Sequence, residues 1–417
     1  MTARIDFENV QESVLRFVQW LERYGETSYD HQSFFVSDLG RKAKALYYRQ
    51  PLLGMLAVAP MIFCEAFVPS ARRFFWKRQR LPIADAHYAM GFAFLAQALG
   101  EQKYYRRAVH FLEVLQQTRC PGYQHYAWGY PFHWQTRLGV IPEGTPLITT
   151  VPYAYEAFRE IYQIDHKPEW HEIMRSIAEH AAHDYEDFPT SANAATCAYH
   201  PKPLEPGGVI NASSYRAALL TMASVDFREQ SYWKIAERNL SFVLETQNED
   251  GSWYYSTDSD RGFVDHFHTC FVLKGLAKVE ALTGNAECTR AIERGVDYYV
   301  KNLFDEEGLP KPFSRKPRLT VYRRELYDYA ECINLAVLLE GRFPALDEIL
   351  SRVITLDGWQ KPDGSFRSRQ LLLGWDNTPM HRWALSQLFR SLCLVLYRNC
   401  IQSQKESQPA EESLQAK

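Results

Sequence analysis

Residues 247–276 read QNEDGSWYYSTDSDRGFVDHFHTCFVLKGL. The opening is turn chemistry, because Asp250 tolerates a left-handed backbone and Gly251 supplies positive φ at no steric cost. Trp253, Tyr254 and Tyr255 follow and need a surface to pack against. The apolar run beyond them has helical spacing. Asp265 stands where that helix takes its N-cap, with His266 and His268 in or near its first turn. The unit is thus a helix, a turn, an aromatic cluster and a second helix that begins with ionisable groups. A chain that repeats it brings the first turns of several helices to one place.

The unit does repeat. Turns rich in aromatics and Gly or Pro recur near Trp128, Phe188, Trp253, Pro310 and Phe366, at intervals of 56 to 65 residues. That period fits a helix, a turn, a helix and a return loop, the signature of stacked helical hairpins. Residues 104–118, 232–247 and 288–303 each carry apolar residues at helical spacing with charges on the opposite face. LDEILSRVITLDGWQKPDGSF repeats the theme late in the chain. After each turn comes a more apolar helix, expected to start near Ala84, Thr145, Asn211, Asp265, Leu326 and Asn377. Few charges follow their first turns, as an element wrapped on most sides requires. Six apolar inner helices and about six amphipathic outer ones predict an all-α (α/α)6 toroid, with short strands confined to loops such as GSWYYST. The expected domain spans 1–401, with 1–80 as an atypical first hairpin and 402–417 as a disordered polar tail.

Composition narrows the function classes. The chain has 417 residues, 46% of them hydrophobic and 14% aromatic, which is ample for a large core. A formal net charge of -3 gives no reason to expect nucleic acid as a partner. The eight cysteines are scattered without a CxxC pair and mostly lie in apolar helical runs, so buried free thiols in a reducing compartment are expected. The N-terminal stretch is charged throughout and reads as an amphipathic helix instead of a signal peptide. The most apolar run, residues 52–69, is broken by Pro60 and Glu65 and falls short of the roughly 20 apolar residues of a spanning helix. RRFFWKRQR follows at 72–80. Segment 52–80 is compatible with weak contact to anionic lipid head groups, although a buried helix and a solvated loop account for it more simply. The expected location is cytoplasmic, at most peripheral to an inner membrane.

QNEDGSW resembles the Q-x-x-D-G-x-W turn of terpenoid-cyclase and protein-prenyltransferase toroids, and QKPDGSF at Gln360 is a looser copy. The cyclase proton donor D-x-D-D and the metal motif D-D-x-x-D are absent from the sequence. Over roughly residues 80–400 the chain is more similar to a family of α/α-toroid proteins encoded in bacterial exopolysaccharide loci, within the broader six-hairpin-glycosidase-like folds. WGYPFHWQTR, TPLITTVPYAYEAF, NASSY, GSWYYS and VDHFHTCFVLKGL carry that resemblance. It implies a role in making or trimming a surface polysaccharide and fixes no reaction.

In such a ring the inner helices start at one end of the barrel. Their first turns bring Asp85 and His87, Thr145, Asn211 and Tyr215, Asp265 and His268, Asp328, and Asn377, His381 and Arg382 towards one cavity. Trp128, Tyr130, His133 and Trp134 precede the second of these helices and are placed to line its wall, with Trp253 beside the fourth. Aromatic faces stack on sugar CH surfaces while carboxylates, amides and imidazoles satisfy hydroxyls, so an oligosaccharide or polysaccharide is the expected partner. Glycoside hydrolysis requires two carboxyl groups across the bond. Lyase or epimerase chemistry requires a base to remove a proton beside a carboxylate and an acid on the far face, which His and Tyr can supply. Arg382 is suited to clamp a uronate. Asp265 is the foremost acid/base candidate with His268 beside it; Asp85, His87, Asp328 and His381 are the possible partners.

Plainer roles compete at each position. Asp265 and Asn211 also suit a helix cap, Asp328 a salt bridge to Arg323 or Arg324, and the Tyr126–Trp134 cluster ordinary core. Asp265 and His268 offer two metal ligands at i,i+3, but no other strong ligand spacing supports zinc, and no metal or cofactor is expected. G-x-S-x-G, Walker and G-x-G-x-x-G motifs are absent. Two other classes stay open. One is a toroid handling an isoprenoid or lipid-linked precursor, and the other is a non-catalytic glycan-binding scaffold.

Overall fold

In the computed structural model, which describes residues 5–204, 206–258, 261–317 and 320–407, the two QxxDG turns make the same joint. Gln247 Nε2 donates to Gly251 O at 3.0 Å and to Ala291 O at 2.9 Å. Gln360 Nε2 donates to Gly364 O at 3.0 Å and to Ser13 O at 2.9 Å. Each glycine has positive φ, 91° and 92°, and a Cβ added there would come within 2.4 Å of a backbone oxygen, that of Arg294 or Arg16. Only glycine lets the turn lie against the neighbouring helix.

These joints fasten outer helices of a closed ring. Among the described residues the inner helices are α6 (Pro82–Leu99), α8 (Val151–Asp165), α10 (Ile210–Asp226), α12 (His266–Thr283), α14 (Leu326–Leu338) and α16 (Ser386–Ser407), the last led by a π turn over His381–Leu385. Each packs on the next, and α16 packs on α6. The outer helices are α7 (Gln102–Gln117), α9 (Pro168–His183), α11 (Gln230–Glu245), α13 (Ala286–Asn302), α15 (Pro344–Val353) and α1 (Phe7–Tyr24). The fold is therefore the expected (α/α)6 toroid. Inner helices are buried almost all round, as α6 is from Ala84 to Leu95. Outer helices bury one stripe, such as Tyr104, Ala108, Phe111, Leu112 and Leu115 of α7.

Expected as a first hairpin together with residues 1–4, which lie outside the described residues, residues 5–80 do not make one. Helix α1 is the sixth outer helix, reached from the far end of the chain. Its Phe17 packs on Phe366 and Phe389 at ring centroid distances of 5.4 and 5.5 Å. Residues beyond it form α2 (Ser33–Val36), α3 (Asp38–Arg49), α4 (Pro51–Phe67) and α5 (Arg72–Phe75), outside the ring, around a small core of Phe34, Ala43 and Met61. This group is tied to the ring by Arg72 with Asp376 at 2.7 Å and Glu65 with Arg369 at 2.8 Å. At the other end α16 runs to Ser407, so residues 402–407 of the expected tail are helical. The rest of that tail lies outside the described residues.

Two inner helices begin later than expected. Helix α8 starts at Val151 and not near Thr145, because residues 145–150 pack as loop against Gly129, where a Cβ would meet Thr145 O at 1.8 Å. The sixth starts at His381 with the π turn and not near Asn377. The strands are short. Antiparallel pairs join β1 (Trp134–Gln135) to β2 (Val140–Ile141), β3 (Asp187–Pro189) to β4 (Ala195–Cys197) and β5 (Val264–Asp265) to β6 (Phe313–Arg315). A three-stranded sheet orders β7 (Tyr322–Glu325), β8 (Arg369–Leu371) and β9 (Trp375–Asp376). GSWYYST contributes only an isolated bridge, Ser256 to Val209. All eight cysteines are free, six of them buried. No helix among the described residues is long and apolar enough to cross a membrane.

Candidate active site

Strand β5 delivers Asp265 to the start of α12 in extended backbone, φ -118° and ψ 171°. Its Oδ1 accepts the His268 backbone N–H at 2.9 Å, and its Oδ2 lies 2.6 Å from His268 Nδ1. The cap and the pair with the imidazole are made by one carboxylate. A carboxylate on Nδ1 fixes the ring proton there and makes Nε2 the basic nitrogen. The His268 side chain keeps 22% of its surface accessible, against 2% for Asp265. Aromatic rings surround it: Phe267 at 4.4 Å, Tyr255 edge-on at 4.7 Å and Phe271 at 5.5 Å.

From His268 the contacts run round the mouth of the barrel and return. Phe267 meets Trp383 at 5.3 Å, and Trp383 meets His31 at 4.0 Å. His31 Nδ1 is 3.1 Å from Arg382, whose Nη1 donates to Tyr130 OH at 3.0 Å. Tyr130 touches Trp134 at 5.6 Å, and Trp134 touches Tyr199 at 6.1 Å. Tyr199 and Tyr255 both pack against the small cluster of Ile148, Cys197 and Val209, and Tyr255 returns the circuit to His268. Tyr130, Trp134, Tyr199, Tyr255 and Trp383 are all half-buried. Arg382 and Trp383 both lie in the π turn, a geometry frequent at functional sites.

The mouth is strongly ionised. Arg382 grips Asp30 with two hydrogen bonds of 2.7 Å. Burial opposes the Asp30 charge, but Arg382 and His31 hold that carboxyl well below its usual range. Burial also drives His31 down to about 3, against the pull of Asp30, so its imidazole is neutral. Glu325, at the end of β7, accepts from Trp383 Nε1 at 2.7 Å and pairs with Arg369. One turn into α14, Asp328 is fully buried and neither of its oxygens has a hydrogen-bond partner. Burial, reinforced by the charges of Glu325 and Asp265, pushes it well above the usual carboxylate range. The Asp328 carboxyl therefore lies within reach of the charges of Glu325 and Asp265.

Below the mouth the lumen stays polar. Tyr153 OH and Tyr215 OH are 2.7 Å apart, and the His87 ring lies 4.4 Å from Tyr153. Arg390 Nη1 is 3.3 Å from His87 Nδ1, while Lys274 pairs with Glu331. Burial, then the charges of Arg390, Lys274 and Lys278, hold His87 well below its usual value. Buried atoms without partners gather on these inner helices: His87 Nε2, Asn211 Oδ1, both Asp328 oxygens and Gln387 Oε1. Each such atom costs about 1–3 kcal/mol if left dry, so the lumen is suited to a hydroxylated ligand. Recesses of about 580 Å³ beside Glu8 and Arg16 and about 260 Å³ beside Arg324 and Trp359 include none of these groups.

The expected residues thus separate. Asp265, His268, Asp328, Tyr130, Trp134 and Arg382 meet at the mouth, and His87, Asn211 and Tyr215 line the lumen beneath. Arg382 is already committed to Asp30, which changes it from a free uronate clamp to half of a buried ion pair. Five others do not belong. Asp85 turns to Arg80, 3.0 Å away, and burial lifts it to about 7 against the Arg80 charge. His381 is held by Tyr88 OH at 2.6 Å and Gly25 O at 3.1 Å, and burial lowers it to about 4. His133 is exposed, its Nδ1 accepting from Glu143 N at 3.0 Å. Trp128 and Trp253 are buried bolts whose Nε1 atoms donate to Leu115 O at 2.8 Å and Val243 O at 2.9 Å, back on the preceding helix. Sequence reasoning missed Asp30, His31, Glu325, Trp383 and Tyr255. The acids of ELYDYAE, three residues apart in an otherwise apolar helix, were the available signal for Glu325. Among the described residues no three His, Cys, Asp or Glu converge as a metal site.

No family model matches the chain, and no curated protein matches it either. Solved structures do. Cellobiose 2-epimerase from Bacillus thermoamylovorans aligns with a TM-score of 0.59 at 11% identity, covering 77% of this chain and 88% of that one. A glycosyl hydrolase family 88 protein from Bacteroides vulgatus gives 0.58 at 9% identity over 95% and 99%. An unsaturated glucuronyl hydrolase specific for heparin gives 0.60 at 10% identity over 95% and 97%. At these identities the likeness is one of fold.

Proposed function

We propose that this chain is a carbohydrate-active enzyme that holds a sugar chain at the barrel mouth and acts on it by proton transfer, as an epimerase or lyase. The observation that carries the reading is the Asp265–His268 pair, 2.6 Å apart, with an accessible imidazole set among aromatic rings. In this reading His268 Nε2 removes the proton from a sugar carbon beside a carbonyl or carboxylate, and Asp265 steadies the imidazolium that forms. Asp328, protonated by its environment, is the acid that returns a proton to carbon or to a departing glycosidic oxygen. Tyr130, Trp134, Tyr255 and Trp383 supply faces for the sugar rings. Solved toroids with related architecture include a sugar epimerase and two hydrolases, which supports sugar as the ligand class. The resemblance of WGYPFHWQTR and VDHFHTCFVLKGL to exopolysaccharide-locus toroids supports surface polysaccharide as the setting. The ionised mouth speaks against an isoprenoid, which would leave Arg382, Asp30 and Glu325 facing hydrocarbon.

One observation favours a hydrolase as the second reading. Asp328 is a buried carboxyl shifted upward, the property required of the acid that protonates a glycosidic oxygen. Turnover of reducing disaccharides and uronate-containing oligosaccharides in D2O, followed by NMR, separates the two. An epimerase places solvent deuterium on a sugar carbon, and a lyase leaves an unsaturated product. A hydrolase releases a new reducing end with no deuterium on carbon. No turnover of any sugar, together with no binding, would sink both readings.

A further inference from the structure

We infer that the outer face of α3–α5 docks on an anionic phospholipid surface, independently of the sugar chemistry proposed above. Helix α4 is the most apolar in the chain, yet Leu52, Leu56, Phe63 and Phe67 lie on one of its faces in water, with Leu52 78% and Leu56 73% exposed. Phe74 of α5 adds a ring that is 76% exposed. Scattered apolar residues are ordinary on a surface, but a contiguous set of this size marks an interaction site.

The charges around the patch select the partner. Residues 38–80 hold nine Lys or Arg and two acids, Asp38 and Glu65. Both acids are ion-paired, Asp38 with Arg41 and Glu65 with Arg369, and among the nine bases Arg41, Arg72 and Arg80 are ion-paired as well. Lys42 and Arg49 of α3, Arg73 of α5 and Lys77 just beyond it are exposed. An apolar centre with a cationic border matches a lipid interface carrying negative head groups, and no helix among the described residues is long and apolar enough to span one. The helix therefore lies in the plane of the interface.

The support is rigid. A Cβ on Gly54 would come within 2.0 Å of the Tyr47 backbone, so α3 and α4 pack in direct backbone contact. Arg72 and Glu65 anchor the pair to Asp376 and Arg369. Arg369 also holds Glu325 of the mouth, and Asp30 and His31 immediately precede α2. Docking would therefore set the mouth beside the head groups.

Sedimentation of the full chain with vesicles tests this. Binding is expected to phosphatidylcholine vesicles containing phosphatidylglycerol and not to phosphatidylcholine alone, and it should fall as salt is raised. Phe63→Glu with Leu56→Glu, and separately Arg49→Glu with Arg73→Glu, should each lower partitioning by roughly tenfold or more while the melting temperature is unchanged. Failure of the parent chain to bind anionic vesicles would overturn the inference. So would a stable dimer, seen by light scattering and dissociated by Phe63→Glu, without vesicle binding, since the patch would then be an interface between copies.

Discussion

Asp265 bonds to His268 twice, once through the backbone N–H at 2.9 Å and once through the imidazole at 2.6 Å. The same carboxylate starts a helix and aims the ring that the helix carries. Asn at this position keeps an oxygen for the cap and loses the negative charge at Nδ1. Asp265→Asn is expected to lower kcat by about two to four orders of magnitude with little change in melting temperature. Asp265→Ala should lose the cap as well, about 1 kcal/mol, and melt earlier. Loss of stability without loss of turnover in Asp265→Asn would reduce the residue to a cap.

Asp328 gives a pH signature in stability. Its folded carboxyl is raised well above an unfolded value of about 3.9, so the folded chain holds the proton more tightly. That contribution is fully present below the unfolded value and is lost as pH rises towards the folded one. Asp328→Asn removes it and mimics the protonated form. The variant should melt increasingly above the parent chain as pH rises above about 4. Asp85, raised to about 7, has the same sign in both chains and cancels in the difference. A difference independent of pH would contradict the assignment.

Arg382 and Asp30 form a pair in which both side chains are at least nine-tenths buried. Removing one partner strands a charge, so Arg382→Ala should cost about 3–5 kcal/mol. The double variant Arg382→Ala with Asp30→Ala should recover part of that loss, since no lone charge remains. Chemical denaturation of the four chains of the cycle gives the coupling; additive losses would mean that the pair is not coupled.

Gln360 closes the ring by bonding to Ser13 O at 2.9 Å. Gln360→Ala is expected to cost about 1–2 kcal/mol and to make α1 the first segment cut by protease. Cutting elsewhere first would place the weak seam of the ring at another joint.

Much of this fold is written locally. Inner helices α6, α10, α12 and α14 could be placed to within about two residues, because burial on all sides removes charges from the sequence itself. The Asp265–His268 pair was legible for a similar reason: two residues three apart at a helix start cannot avoid each other. What stayed hidden was nonlocal. Nothing near Phe17 shows that it will meet Phe389, and nothing near Asp30 shows that Arg382 is its partner, 352 positions away. His381 and Asp85 begin inner helices as the pattern requires, yet both face outward. The start of a helix fixes height in the barrel and leaves rotation about the axis to packing. Trp253 was misleading in the opposite way, since a conspicuous aromatic in a turn proved to be a bolt for the preceding helix.

The sharpest single measurement is kcat/KM of His268→Ala against the parent chain, on whichever sugar the D2O screen shows to be turned over. The His268 side chain keeps 22% of its surface accessible, so the variant should fold with an unchanged melting temperature. A fall of about a thousandfold or more, with loss of solvent deuterium in the product, is expected of the base. Retention of kcat/KM within about tenfold would contradict proton transfer by His268.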